Sequence, residues 1–233
     1  MDPAAPATYR IILTMLTRKE ASQRELARDL DVSIGHVNGV VRWLEQGGFV
    51  ERGRAEDRTA RGRGKEVYRL ANPTGLLRAI SLFRSMPRLR QFTLSVDVPK
   101  EKLISGLARR PVVFCLGTAL ERYSRFYRAD EGSFYAFPGA SGRGVEAIRR
   151  DLAASKEGIT RVACYSLPTK VHGRREEVAN PRAALKVLRS FGFAEKAEDG
   201  YITTRAQTVV DLFCDGKAFA ARDLLKEIWG VEL

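Results

Sequence analysis

Apolar positions along the first ninety residues fall into short helical periods. Tyr9, Ile12, Leu13 and Leu16 recur at the i, i+3, i+4, i+7 spacing of a helix with one buried face. Ser22-Gln23-Arg24-Glu25 has the form of a capping box, in which Ser22 and Glu25 satisfy each other's exposed backbone N–H groups. The helix it opens is expected to bury Leu26, Ala27 and Leu30 and to end near Asp31. Ser33 caps a third helix with Val37, Val40, Val41 and Leu44 on its inner face. Gly47-Gly48 stops that helix, because glycine tolerates the left-handed conformation at a helix end. Two strands follow, Phe49 to Arg52 and Glu66 to Leu70, with a polar, glycine-rich stretch between them. Thr74 caps a further helix through about Phe83, apolar at Leu76, Leu77, Ile80 and Phe83, and Pro87 breaks it.

From Phe92 onward strands and helices mix. Strands are expected at 92–96, 112–116, 133–137 and 159–165, with a hairpin over 194–202 turning at Asp199-Gly200. Helices are expected at 99–108, from Gly117-Thr118 to about Tyr127, at 144–154, and from Asn180-Pro181 to Leu188. Two more close the chain, at about 205–214 and 217–229. The expected fold class is α+β: an N-terminal domain over 1–88, linker helix included, followed by a mixed α/β domain over 89–233.

Three helices, the second and third joined by a three-residue turn, followed by a two-stranded hairpin make the pattern of a winged helix. Leu26-Ala27-Arg28-Asp29-Leu30-Asp31-Val32-Ser33 through Leu44-Glu45-Gln46-Gly47-Gly48-Phe49-Val50 resembles the winged helix-turn-helix families of prokaryotic regulators, over about residues 8–70. A helix fits the major groove of duplex DNA, and residues near its start reach base edges. The outward positions of the third helix are Ser33, Gly35, His36, Asn38, Gly39 and Arg42. Asn38 can pair bidentately with adenine and Arg42 with guanine or phosphate, while His36 can donate to either. Gly35 and Gly39 leave one flank bare for close approach; making room for a neighbouring helix is the plainer alternative. On the wing, Arg52, Arg54, Arg58, Arg61, Arg63 and Lys65 suit phosphate contacts or a narrow minor groove, against the alternative of a solvated loop.

The charge sharpens this picture. The 233 residues carry 40 Lys and Arg against 28 Asp and Glu, a net +12. Residues 42–90 hold twelve basic and five acidic side chains, whereas 1–41 are balanced and 91–233 carry 23 against 18. A field focused on one segment favours a polyanion-docking surface, with double-stranded DNA as its partner. A winged helix of this size reads few base pairs, so a homodimer reading two half-sites is the economical expectation. Met1-Asp2-Pro3-Ala4-Ala5-Pro6 has neither the basic start nor the apolar core of a secretory signal. No apolar run approaches the ~18 residues of a membrane span, and a cytoplasmic protein without a membrane partner is expected.

Later in the chain, Asp199-Gly200-Tyr201-Ile202-Thr203-Thr204-Arg205-Ala206-Gln207-Thr208-Val209-Val210-Asp211-Leu212-Phe213, then Ala220-Ala221-Arg222-Asp223-Leu224-Leu225, resembles the C-terminal part of AbiEi-type antitoxins. The Leu116-Gly117-Thr118-Ala119-Leu120 turn is similar to that family's strand-glycine-helix start. The resemblance implies a DNA-binding antitoxin of a type IV toxin–antitoxin pair. Such a protein represses its own operon and counters a nucleotidyltransferase-like toxin, a functional rather than necessarily physical partner. Gln207 and Asp211 are expected to be structural, with Asp211 capping or pairing with Arg205 or Arg222.

Motifs for catalysis are missing. The two histidines, His36 and His172, lie in different expected domains, and there is no Cys-x-x-Cys, His-Glu-x-x-His, phosphate-binding lysine loop or dinucleotide fingerprint. Gly132-Ser133 lacks the Asp-x-Asp that a nucleotidyltransferase would need. No catalytic residue, metal or cofactor is expected. Gly139, Ser141, Gly142, Arg143 and Gly144 form a turn whose N–H groups can cradle an anion, and an ordinary turn explains it equally well. Cys115, Cys164 and Cys214 are expected to be buried and inert. The leading expectation is a transcriptional regulator, an autorepressor or antitoxin. A ligand-responsive winged-helix factor sensing a metabolite at the 139–144 turn is the first alternative. The second is a nucleic-acid-processing enzyme, although Asp130-Glu131 and Glu176-Glu177, the nearest carboxylate pairs, read as solvated loops.

Overall fold

The computed structural model describes residues 1–54, 66–137, 143–152, 158–167 and 180–233, at positions 143 and 181 by backbone alone. It is a mixed α+β protein dividing into two compact units, Met1–Arg84 with Ser190–Gly192, and Ser85–Arg189 with Phe193–Leu233.

In the first unit, α1 (Pro6–Arg18) starts with proline in its first turn, where a missing N–H costs nothing. The periodicity predicts one buried face, yet Thr8 through Leu16 are all buried. Arg10 tolerates this by donating to the Leu30 carbonyl and lying 5.5 Å over the Phe191 ring, while Arg84 covers Tyr9 at 5.1 Å. Strand β1 (Glu20–Ala21), two residues long and too short to show a period, leads into α2 (Gln23–Leu30). The Ser22–Glu25 capping box is complete: the Ser22 N–H donates to Glu25 Oε2 at 2.9 Å and the Glu25 N–H to Ser22 Oγ at 3.3 Å.

Asp31, at φ +51°, ends α2 in the left-handed region, and Ser33 caps α3 (Ile34–Gln46) through the His36 N–H at 3.2 Å. At the far end of α3 the left-handed residue is Gly48 (φ +66°) rather than Gly47, which keeps helical angles. Strands β2 (Val50–Arg54) and β3 (Glu66–Leu70) pair antiparallel from Val50↔Leu70 to Arg54↔Glu66, and β1 joins the far edge of β3. Helix α4 (Pro73–Phe83) is capped by Asn72, not Thr74, because Pro73 takes the first helical position and the Asn72 side-chain carbonyl accepts the Gly75 N–H at 2.8 Å. It buries Leu76, Leu77 and Ile80 but leaves Leu82 and Phe83 exposed, so Phe83 is not on the inner face.

The second unit opens with a short helix, α5 (Met86–Leu89), where a break at Pro87 was expected; the proline sits in its first turn. Its sheet has six strands in the order β4-β7-β6-β5-β9-β8. These are β4 (Arg90–Val96), β5 (Val112–Phe114), β6 (Glu131–Ala136), β7 (Thr160–Ser166), β8 (Ala194–Ala197) and β9 (Gly200–Thr203). β6–β7 and β5–β9 are parallel and the other neighbours antiparallel. The central strands β5 and β6 are buried on both faces, matching the unbroken apolar run of β5 and the Phe134–Ala136 end of β6.

The helices are α6 (Lys100–Ala108), α7 (Leu116–Tyr123), α8 (Arg143–Asp151), α9 (Pro181–Ser190), α10 (Arg205–Cys214) and α11 (Arg222–Trp229), the last preceded by a 3₁₀ turn over Ala218–Ala221. One core cluster joins Phe92, Leu103, Phe114, Phe134, Ile148 and Ile202. Helix α7 stops at Tyr123, short of the expected Tyr127. The chain then folds back over Gly117, where an added Cβ would lie 2.9 Å from Ala129 and 3.2 Å from the Tyr127 hydroxyl. Glu121 fixes this return by accepting the Ala129 N–H at 2.6 Å and the Lys100 ammonium at 2.7 Å.

Candidate functional site

Two interleaved stripes define α3. Val37, Val40, Val41 and Leu44 are buried, while Gly35, Asn38, Gly39 and Arg42 repeat the same i, i+3, i+4, i+7 spacing two residues earlier and are exposed. A shift of two residues turns a helix by roughly 200°, so the polar stripe faces directly away from the core. Sequence reasoning placed six residues on this surface, and the structure brings four of them together there. Ser33 is exposed, but its hydroxyl accepts the His36 N–H as a cap. His36 is half-buried and turns toward α1, with Nε2 3.5 Å from the Thr8 hydroxyl.

Both glycines are exposed, and the flank is open at Gly35. A Cβ on Gly35 would meet nothing within 4 Å, whereas one on Gly39 would lie 3.7 Å from the Met1 terminal methyl. No neighbouring helix approaches either position, which removes the packing alternative among the described residues. Arg42 has no ion-pair partner among the described residues, so its guanidinium is presented to solvent.

A polar network ties α3 to the strand pair. Gln23, at the start of α2, donates to Asn38 Oδ1 at 3.4 Å and to the Tyr68 hydroxyl at 3.2 Å. Tyr68 donates in turn to Glu66 at 2.9 Å, and Arg52 donates to Tyr68 at 3.2 Å. Arg52 also lies 3.3 Å from the Glu66 carboxylate and 5.7 Å over the Tyr68 ring. Burial, then the bond to Glu66, holds the Tyr68 phenol above its ordinary range, so it stays neutral and keeps donating. Asn38 thus has a side-chain partner on α2, and Arg52, expected at phosphates or in a narrow minor groove, is paired with Glu66 and lies 3.7 Å from Glu45. Gln23 and Tyr68 were missed by sequence reasoning; only the fold brings positions 23, 38 and 68 together.

Of the other basic positions expected on this hairpin, Arg54 is exposed at the end of β2. Arg58, Arg61, Arg63 and Lys65 lie outside the described residues. So do Gly139, Ser141 and Gly142 of the expected anion turn, as well as His172 and the Glu176-Glu177 pair. Gly144 falls in the first turn of α8, whose backbone begins at Arg143.

The second unit corrects two expectations. Asp211 is fully buried and accepts from Tyr135 and Gln207, each at 2.7 Å. Arg205 and Arg222, its expected partners, pair with Glu227 at 3.3 Å and Asp223 at 3.6 Å. Glu131, expected in a solvated loop, begins β6, accepts from Ser133 and lies 3.8 Å from Arg161. All three cysteines are buried, and burial pushes the Cys164 thiol up to about 12. Among the described residues no group of three or more His, Cys, Asp or Glu side chains could hold a metal, and no helix is long and apolar enough to cross a membrane.

The chain matches no protein-family profile, no curated protein and no solved structure.

Proposed function

We propose that this protein is a sequence-specific, double-stranded DNA-binding transcriptional regulator whose first unit is a winged helix-turn-helix domain. The observation that carries the reading is the exposed α3 stripe of Gly35, Asn38, Gly39 and Arg42, set directly opposite the buried valines. Asn38 supplies a side-chain amide for adenine and Arg42 a fork for guanine or phosphate. The two glycines let the helix axis approach the floor of the groove. The arginines of the sequence after Arg54 have the chemistry for phosphate or minor-groove contacts. Two copies of the chain, each presenting α3 to one half-site, make the economical binding unit. The resemblance to AbiEi-type antitoxins gives this regulation a particular form, repression of the protein's own operon beside a nucleotidyltransferase-like toxin.

The test is a gel shift on the DNA upstream of the gene, repeated with Asn38→Ala and Arg42→Ala. Each variant loses base discrimination by about 1–3 kcal/mol where the contact is bidentate. Unchanged discrimination in both refutes the reading.

A further inference from the structure

A second basic surface lies wholly within the second unit. Arg182, Lys186 and Arg189 are spaced i, i+4, i+7 along α9, so they form a single exposed stripe. The stripe lines one side of an open groove of about 800 Å³, with Arg109 and Arg110 at the end of α6 also lining it. Arg110 is held by Asp151 at 2.8 Å, but Arg109, Arg182, Lys186 and Arg189 have no carboxylate partner among the described residues. Among the described residues no acidic side chain lines the groove.

Its floor is apolar, with buried Leu185 and the half-buried ring of Tyr201. Tyr201 is set there by the β8–β9 turn. Gly200 adopts φ +115°, and a Cβ on it would lie 3.3 Å from the Ala108 side chain, so the turn closes tightly on α6.

We infer that this groove binds single-stranded nucleic acid, with the sugar-phosphate backbone running along the α9 stripe and a base stacked on Tyr201. Three features select this ligand. The cations rise along α9 by roughly 6 and 4.5 Å, a ladder suited to successive phosphates rather than to one anion. Most of them are arginines, whose planar forks match phosphate oxygens in pairs. The aromatic floor offers a stacking platform to an unpaired base, which a duplex keeps inside its own stack. The site is independent of the duplex reading proposed for α3, and its test can fail separately.

The experiment uses the full chain and fluorescence anisotropy with labelled oligothymidylate and oligouridylate of about twelve nucleotides, a length within the usual site size. Binding of either strand supports the groove, and their ratio tells DNA from RNA. Arg182→Glu with Lys186→Glu and Arg189→Glu weakens binding at least tenfold. The corresponding triple alanine variant flattens the salt dependence by about 2 in slope, at ~0.7 for each phosphate no longer neutralised. Tyr201→Phe keeps the affinity and Tyr201→Leu loses about fivefold or more, while circular dichroism confirms that each variant is folded. Arg42→Ala leaves oligonucleotide binding unchanged. The inference is overturned if neither strand binds or if the triple reversal has no effect. It is also overturned if Arg42→Ala weakens oligonucleotide binding as much as the reversal does. Equal displacement by duplex of the same length, or by polyglutamate at matched charge, likewise overturns it, the latter in favour of an acidic protein partner.

Discussion

Gly39 offers the sharpest test of the α3 surface, because stability and binding should move in opposite directions. It is the sixth residue of a thirteen-residue helix, exposed, with ordinary helical angles. A Cβ there would make an ordinary contact, 3.7 Å from the Met1 methyl, and would clash with nothing. Replacing an exposed helix glycine by alanine removes the backbone entropy cost of glycine, about 0.5–1 kcal/mol. For a unit of this size that raises Tm by about 4 °C or more at the upper end of the range. Trp43, on α3 and 5.5 Å from the Phe49 ring, reports unfolding of the first unit once Trp229 on α11 is changed to phenylalanine. Urea titration of Gly39→Ala in that background should therefore show a higher midpoint with an unchanged slope. On the proposed docking, DNA titration of the same variant should show weaker binding, because the added methyl would stand between the helix and the groove. A stabilised variant that binds DNA as well as the parent would refute the idea that the glycines exist for close approach. A destabilised variant would refute the reading of the helix itself.

Three further outcomes follow from the same structure. Ser22→Ala removes the hydroxyl that accepts the Glu25 N–H, while the residue-22 backbone N–H can still donate to Glu25, and costs about 1 kcal/mol of stability, measurable by the same urea titration. In the native protein a thiol reagent should modify none of Cys115, Cys164 and Cys214, and all three should react in denaturant; rapid native labelling would contradict their burial. Hydrogen bonds from Arg18, then Arg28, hold the Asp29 carboxyl below its ordinary value of 3.8. The folded state therefore resists protonating Asp29, and the stabilisation is present above that value and lost as pH falls through the folded one. Asp29→Asn should cost at most ~1 kcal/mol at neutral pH, since these pairs are solvent-screened. The difference from the parent should vanish in strong acid, and a difference that persisted there would refute this cause.

Much of the first unit was legible because its signals are local. The Ser22–Glu25 box, the Ser33 cap, the valine stripe of α3 and the turn at Asp31 each depend on neighbours within one or two helical turns. Strand β1 was missed because two residues carry no period and pairing with β3 alone defines it. The end of α7 was misjudged for a related reason, since the return of Ala129 over Gly117 is a tertiary contact that no helical pattern announces.

Charge shows the same division. The sequence alone located the basic surplus of 42–90 and four of the six expected outward residues of α3, because both are properties of contiguous chain. It could not reveal that Arg52 pairs with Glu66 and donates to Tyr68, that Asp211 takes its bonds from Tyr135, or that Arg109 faces the same groove as Arg189. Periodicity decides which side of an element is buried, since a helix or strand repeats over a few residues. Which side chain meets which is decided only when distant segments pack, because charge and hydrogen bonding act through space over a few ångströms rather than along the chain.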